Sequence, residues 1–231
     1  MSLYCINVVT LRPQFFQGAW SVDAEFERRV ISRGLNWGSA VPRGAYCLCH
    51  LVSRFGMAHK LADETLRDIF ADHLSVPDAD FISTDARSPF SRVESSSSNL
   101  LAVCKRWMRI CTPLLYHCVI LRSTPQAVAL ADALKKNKHF GPYIHKLRVE
   151  GAFGAAVGKL MLAAPNITDF AFTMKLFSED RPKPMCDAMP GLDPRRVIAI
   201  AFAYGTKTNK ATRLIVDTFS SCLNSWNNIV S

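Results

Sequence analysis

The sequence predicts an α+β protein in which a small all-helical module precedes a short, irregular α/β region. Apolar residues recur at helical spacing in two segments before residue 118, and short strand-like runs alternate with helical runs after it. The predicted domains are an unassigned N-terminal extension (1–57), the helical module (58–118) with a polar insert at 75–98, and the α/β region (119–231).

The first helical segment follows residue 61. Leu66, Ile69 and Phe70 recur at three- and four-residue steps, which places them on one face of a helix. Asp63 and Glu64 lie where the first turn should begin, and negative charge there offsets the helix dipole.

The second helical segment, residues 99–116, carries a wider apolar stripe. Its central row consists of Leu100, Cys104, Trp107, Cys111 and Leu114. Lys105, Arg106 and Arg109 fall between the rows, so we expect them to face solvent. A polar residue of 97–99 is expected to cap the helix start, and Pro113 is expected to end or kink the helix. Two helices cannot bury such a stripe alone, so it must pack on the rest of the chain or on a partner.

Together the two segments resemble the F-box family. That family's pattern runs Leu-Pro-x-Glu-x-Leu-x-x-Ile-Phe, then a variable stretch, then Leu-Leu, Val-Cys-Lys-x-Trp and Pro-x-Leu-Tyr. The residues that carry the resemblance are Leu61, Glu64, Leu66, Ile69, Phe70, Leu100, Leu101, Val103, Cys104, Lys105, Arg106, Trp107, Pro113, Leu115 and Tyr116. Ala62 stands in place of the family's proline, and the insert is longer than in the shortest F-boxes. Residues 119–180 are also similar to the F-box proteins of mushroom-forming fungi.

The resemblance implies a substrate-receptor subunit of an SCF-type ubiquitin ligase, acting in the cytoplasm, the nucleus or both. Such a subunit has no cofactor and does no covalent chemistry. It docks on a Skp adaptor, and through it on a cullin-RING ligase, while the C-terminal region holds an unidentified protein target. The implied adaptor-binding residues are Leu61, Leu66, Ile69, Phe70, Leu101, Val103, Trp107, Pro113, Leu115 and Tyr116. The alternative is a non-catalytic scaffold, or a degenerate or truncated F-box relative, whose helices pack only internally.

Strands are predicted at residues 118–122, 144–149, 167–172 and 196–203, and helices at 124–138, 157–164 and 209–227. The apolar positions of the second strand match those of the third at an offset of 23 residues. A further offset of 30 would align them with Val197, Ile200 and Phe202. Residues 165–172, Pro-Asn-Ile-Thr-Asp-Phe-Ala-Phe, resemble the turn and strand of leucine-rich repeats, so we expect a leucine-rich-repeat-like region.

Composition and motifs favour binding over catalysis. The sequence contains no glycine-rich phosphate loop, His-Glu-x-x-His or Gly-x-Ser-x-Gly motif. The net charge is +9, and residues 99–231 carry 18 basic and 8 acidic side chains, whereas residues 61–98 carry 3 and 8. The basic residues are scattered, which does not favour nucleic-acid binding. No apolar run reaches the roughly 20 residues that span a bilayer.

The eight cysteines are predicted to be reduced thiols. Cys104, Cys111 and Cys118 repeat every seven residues, as small core residues on one helix face or its extension would. The cluster of Cys47, Cys49, His50 and His59 lacks the second ligand pair of a zinc site, so no metal is expected. The serine run at 95–98 is interpreted as part of a solvated connector, with a regulatory phosphorylation cluster as the alternative.

Overall fold

A computed structural model describes residues 61–85, 87–91, 97–174, 176, 180–200 and 209–229. The predicted N-terminal extension, the Cys47–His59 cluster and Phe202 lie outside these residues. The described helices are α1 (Asp63–Leu74), α2 (Asp78–Ile82), α3 (Lys105–His117), α4 (Thr124–Lys136), α5 (Ala155–Ala163), α6 (Lys183–Ala188) and α7 (Lys210–Leu223). The described strands are β1 (Cys118–Leu121), β2 (Lys146–Val149), β3 (Asp169–Thr173) and β4 (Arg196–Ile200).

The four strands form one parallel sheet in the order β1-β2-β3-β4. Each strand is followed by one of the helices α4 to α7, and α3 runs directly into β1 because Cys118 follows His117. Consecutive helices from α4 to α7 pack against each other and form a layer beside the sheet. The predicted mixture of helices and strands is therefore confirmed.

The two faces of the sheet differ in chemistry because strand side chains alternate. Leu147, Phe170 and Phe172 are fully buried on the face that carries the helices, and the ring of Phe172 lies 5.3 Å from that of Phe219 in α7. The opposite face carries a row of charged residues on three neighbouring strands: Lys146, Asp169 and Arg196. Charged side chains on a covered sheet face require hydrogen-bond or ion-pair partners, and the insert between α1 and α3 supplies them, as described below.

The register confirms one predicted strand alignment and corrects another. Leu147 pairs with Phe170, as the offset of 23 predicts. The further offset of 30 is wrong, because Phe170 pairs with Val197 and not with Ile200. A shift by an odd number of residues moves a side chain to the other face of the sheet. Ile200 accordingly lies beside Thr173 on the face that carries the charges.

Helix α3 begins later and ends later than predicted. Its N-cap is Cys104, and a 3₁₀ helix, Ser97–Ala102, precedes it, so residues 97–99 do not cap α3. The helix passes through Pro113 and continues to His117. Proline deprives the carbonyl four residues earlier of its helical donor. That carbonyl belongs to Arg109, an exposed residue, so solvent can replace the lost bond.

The interpretation of the insert as a loop and solvated connector is wrong in part, because some of its described residues are helical and two aromatic side chains are buried, although most of the others are exposed. The helical residues form α2 and a 3₁₀ helix, Pro89–Ser91. Phe81 and Phe90 are 0% and 1% exposed and belong to the main hydrophobic core. That core extends continuously from α1 to α7 and crosses the predicted domain boundary at residue 118.

Candidate protein-interaction site

The helical pair α1 and α3 is joined by an aromatic contact at its centre. The rings of Phe70 and Trp107 lie 4.6 Å apart at an angle of 60°. Trp107 is only 3% exposed, and Leu66 and Leu115 are each 1% exposed. These large side chains therefore hold the two helices together from the inside.

Ion pairs join the start of α1 to the first turns of α3. Arg106 Nε donates to Asp63 Oδ1 at 2.7 Å, and Arg109 donates to the other carboxylate oxygen. Arg106 also donates to the carbonyl oxygen of Leu61. The hydrogen bond from Arg106 is the main cause that lowers the pKa of Asp63. The prediction that these side chains face solvent is confirmed for Lys105 and Arg109, whose residues are exposed, and corrected for Arg106, whose side chain is 30% exposed and binds Asp63.

The ten predicted adaptor-binding residues fall into two groups. Five are buried inside the chain: Leu66, Phe70, Trp107, Leu115 and Tyr116. Five retain accessible surface: Leu61, Ile69, Leu101, Val103 and Pro113. The buried five cannot touch a partner unless the helical pair opens, so only the second group offers a ready contact surface.

Tyr116 is the buried candidate whose polar group has no hydrogen-bond partner in the described part of the chain. Its ring lies 4.8 Å from that of Phe140, at the junction between α3 and the following region. Burial raises the pKa of Tyr116 to about 12. Tyr116 therefore serves as a packing residue.

Three of the accessible candidates lie at one end of the helical pair. Val103 is 38% exposed and immediately precedes the N-cap of α3, two residues after the half-buried Leu101. The bond from Arg106 to the Leu61 carbonyl brings Leu61 to the same end. We call Leu61, Leu101 and Val103 the apolar end of the helical pair.

A second group of polar contacts lies on the charged face of the sheet, where the insert covers it. We call the described insert residues 78–85 and 87–91 the strap. Asp78 of the strap accepts two hydrogen bonds from the Arg196 guanidinium, at 2.7 and 2.6 Å, and a third from Lys146 at 2.8 Å. The Arg196 guanidinium, followed by Lys146, holds the pKa of Asp78 well below its usual range.

Arg148 lies under the strap and is 2% exposed. Its guanidinium donates to the carbonyl oxygens of Phe81 at 2.6 Å and Ser83 at 2.8 Å, and lies 5.5 Å from the centre of the Phe90 ring. Nε of Arg148 pairs with Glu150 at 2.8 Å. The buried charge is thus bound by the strap and by Glu150, the residue that follows β2.

Glu150 connects the far end of the strap to the sheet. Its carboxylate accepts a hydrogen bond from the hydroxyl of Ser88 at 2.6 Å and forms an ion pair with Arg122 at 3.0 Å. Arg122 also donates to the carbonyl oxygen of Phe90. The sequence analysis did not predict these contacts. Two features of the sequence could have indicated them: two phenylalanines within a polar insert, and charged residues at alternating positions of a strand.

No group of three or more potential metal ligands occurs among the residues that the structure describes. His117 and His145 stack with their ring centres 4.9 Å apart, but they form only a pair. Burial, followed by the neighbouring His145, lowers the pKa of His117. The five described cysteines, Cys104, Cys111, Cys118, Cys186 and Cys222, are unpaired thiols.

Comparison with known proteins found no matching family model, no matching curated protein and no matching solved structure. Within the described ranges, no helix is both long enough and apolar enough to cross a membrane.

Proposed function

We propose that this chain is the substrate-receptor subunit of an SCF-type ubiquitin ligase. Its F-box-like helical pair would dock on a Skp adaptor, and its leucine-rich-repeat-like region would hold a protein target. The observation that carries the proposal is the apolar end, where three residues at F-box-matching positions stay accessible while five others form the core: Leu66, Phe70, Trp107, Leu115 and Tyr116.

The division of the matching residues fits a docking module. Phe70 and Trp107 fix the angle between the helices from inside, and the ion pairs of Asp63 hold the start of α1 beside α3. A rigid pair presents the apolar end without a large ordering cost on binding, and such preorganisation favours affinity.

The receptor would accelerate ubiquitin transfer through proximity alone. Holding a target beside a ubiquitin-charged enzyme turns an encounter between two molecules into a step within one complex. The chain's own residues would then bind and orient, and the partner subunits would supply the reacting groups.

An internal scaffold is the second candidate, and one observation favours it. Five of the ten predicted adaptor-binding residues are buried, and the core runs continuously from the helical pair into the sheet region. The two proposals differ in one property, which is whether the apolar end binds an adaptor.

Binding of the full chain to a purified Skp adaptor tests the proposal. Val103→Glu places a charge at the apolar end and should weaken binding at least about tenfold, or about 1.4 kcal/mol. Val128→Glu is the matched control, because Val128 is 45% exposed on α4, in the downstream region. Both variants should unfold at the same urea concentration as the wild type.

Loss of binding in Val103→Glu alone would support the receptor proposal. Equal binding by both variants would contradict the assignment of the apolar end. A folded wild-type chain that does not bind the adaptor would contradict the receptor proposal and leave the scaffold.

A further inference from the structure

We propose that the charged sheet face recognises target segments of the form Asp-x-x-Phe, and that the strap occupies this site as an intramolecular ligand. This inference concerns target binding and rests on the proposed function, because it names the chemistry that the C-terminal region would select.

The first argument is charge complementarity. The described strap carries three aspartates and one arginine: Asp78, Asp80, Asp85 and Arg87. The face beneath it presents Lys146 and Arg148 on β2 and Arg196 on β4, and these outnumber the acidic side chains of Asp169 and Glu150 beside them. The net charges of the two parts of the chain also have opposite signs. Residues 61–98 carry 3 basic and 8 acidic side chains, whereas residues 99–231 carry 18 basic and 8 acidic side chains. An acidic segment is therefore the ligand that this face attracts.

The second argument is that the contacts have the form of peptide recognition. Arg148 binds main-chain carbonyls of the strap, which any peptide can provide. Selectivity comes from two side chains, Asp78 with its three hydrogen bonds and Phe81 with its ring 5.5 Å from Lys146 Nζ. Peptide-binding surfaces generally obtain affinity from hydrogen bonds to the peptide main chain and specificity from contacts with its side chains.

The third argument is the spacing of the two selective side chains. Asp78 and Phe81 are the first and fourth residues of α2, a helix of five residues. Residues three apart lie on one side of a helical turn, so one turn presents the acid and the ring together. A target segment with the same spacing would present both groups to Arg196 and Lys146.

The fourth argument is that the strap can be exchanged without stranding a charge. Arg148 is buried in the described structure, and the strap carbonyls are among the groups that bury and bind it. When the strap leaves, Arg148 keeps its ion pair with Glu150, and an incoming peptide supplies carbonyl oxygens in place of those of the strap. Phe81 and Phe90 leave the hydrophobic core in the same step, so the ligand that replaces the strap needs a phenylalanine to refill it. The tethered strap has a high effective concentration, so a free peptide should bind poorly to the wild-type chain.

The test is the binding of a labelled synthetic peptide of residues 76–91, measured by fluorescence anisotropy without any adaptor. The receptor is the full chain in which Asp78→Asn and Phe81→Ala weaken the strap. We expect the peptide to bind this variant at least ten times more tightly than the wild type. A peptide that itself carries Asp78→Asn and Phe81→Ala should not bind, and adding Arg196→Glu to the receptor should abolish binding.

Absence of peptide binding by a folded strap-weakened chain would overturn the proposal, as would equal binding of the altered peptide. Displacement of the peptide by a single-stranded RNA would show that the face selects negative charge and not the Asp-x-x-Phe form, which also overturns it. If the double variant does not fold, Asp78→Asn alone serves as the receptor, because Asp78 is 49% exposed, and the same outcomes decide. The adaptor is absent throughout, so failure here is distinguishable from failure of adaptor docking.

Discussion

Replacing Trp107 by alanine should destabilise the folded chain by about 4 kcal/mol. The side chain is 3% exposed, and its ring packs 4.6 Å from that of Phe70, which is fully buried. Truncation of a buried aromatic residue to alanine typically costs about 3–5 kcal/mol, because apolar surface is lost and a cavity remains. Small domains are stable by only about 5–15 kcal/mol, so the change should be large in a urea titration followed by circular dichroism.

Two further variants make this prediction sharp. Trp107→Phe keeps a ring against Phe70 and should cost less than half as much. Val103→Ala alters a residue that is 38% exposed and should change the free energy of unfolding by no more than about 0.5 kcal/mol. A Trp107→Ala loss below about 1 kcal/mol would refute the argument that Trp107 is core, and would return it to the candidates for direct adaptor contact.

Three more predictions concern ionisation, backbone packing and thiol reactivity. Two cations of the sheet face lower the pKa of Asp78, so its ionised form stabilises the folded chain above about pH 4, and this contribution is lost as the pH falls further. In urea unfolding, Asp78→Asn should therefore lower the free energy of unfolding by about 0.5–1 kcal/mol at pH 7, as expected for a half-exposed ion pair. This difference from the wild type should be smaller at pH 3. Gly141→Ala would place a Cβ 1.9 Å from a carbonyl oxygen of α5 and should cost about 2 kcal/mol or more in thermal or urea unfolding, whereas Gly191→Ala, with open space around it, should be nearly neutral. Burial raises the pKa of the Cys111 and Cys118 thiols to about 12, so iodoacetamide at pH 8 should modify them only after unfolding, as mass spectrometry of the two states would report.

The sequence predicts the order of helices and strands well where the hydrophobic pattern and the packing agree. Leu147 and Phe170 occupy equivalent positions because both point into the helical layer, and their spacing is visible in the sequence. The pattern fails at β4, where Ile200 is as apolar as the residues it was aligned with but lies on the opposite face. Periodicity reports the side on which a residue lies only when the register is known.

The sequence analysis also did not predict that the strap packs on the sheet. Its composition is polar, and polarity usually marks a solvated loop. Phe81 and Phe90 nevertheless bury, because the partner surface is a sheet face that carries Arg148 and Lys146, and those cations need carboxylate and carbonyl partners. Contacts between residues more than 60 positions apart leave no local pattern for sequence reasoning to detect.

The resemblance predicts a set of adaptor-binding residues, but it does not divide that set into core and surface residues. Trp107 and Val103 both match the F-box pattern, yet one is buried and the other is accessible. The division depends on how α1 crosses α3, which the ion pairs of Asp63 and the contact with Phe70 fix in three dimensions.

The most direct measurement of the central claim is hydrogen exchange of the full chain, followed by mass spectrometry, with and without a purified Skp adaptor. Docking at the apolar end predicts slower exchange at residues 61–74 and 97–109, while the strands β2 to β4 exchange as before. Unchanged exchange throughout the helical pair at saturating adaptor, or protection confined to the sheet region, would contradict the account.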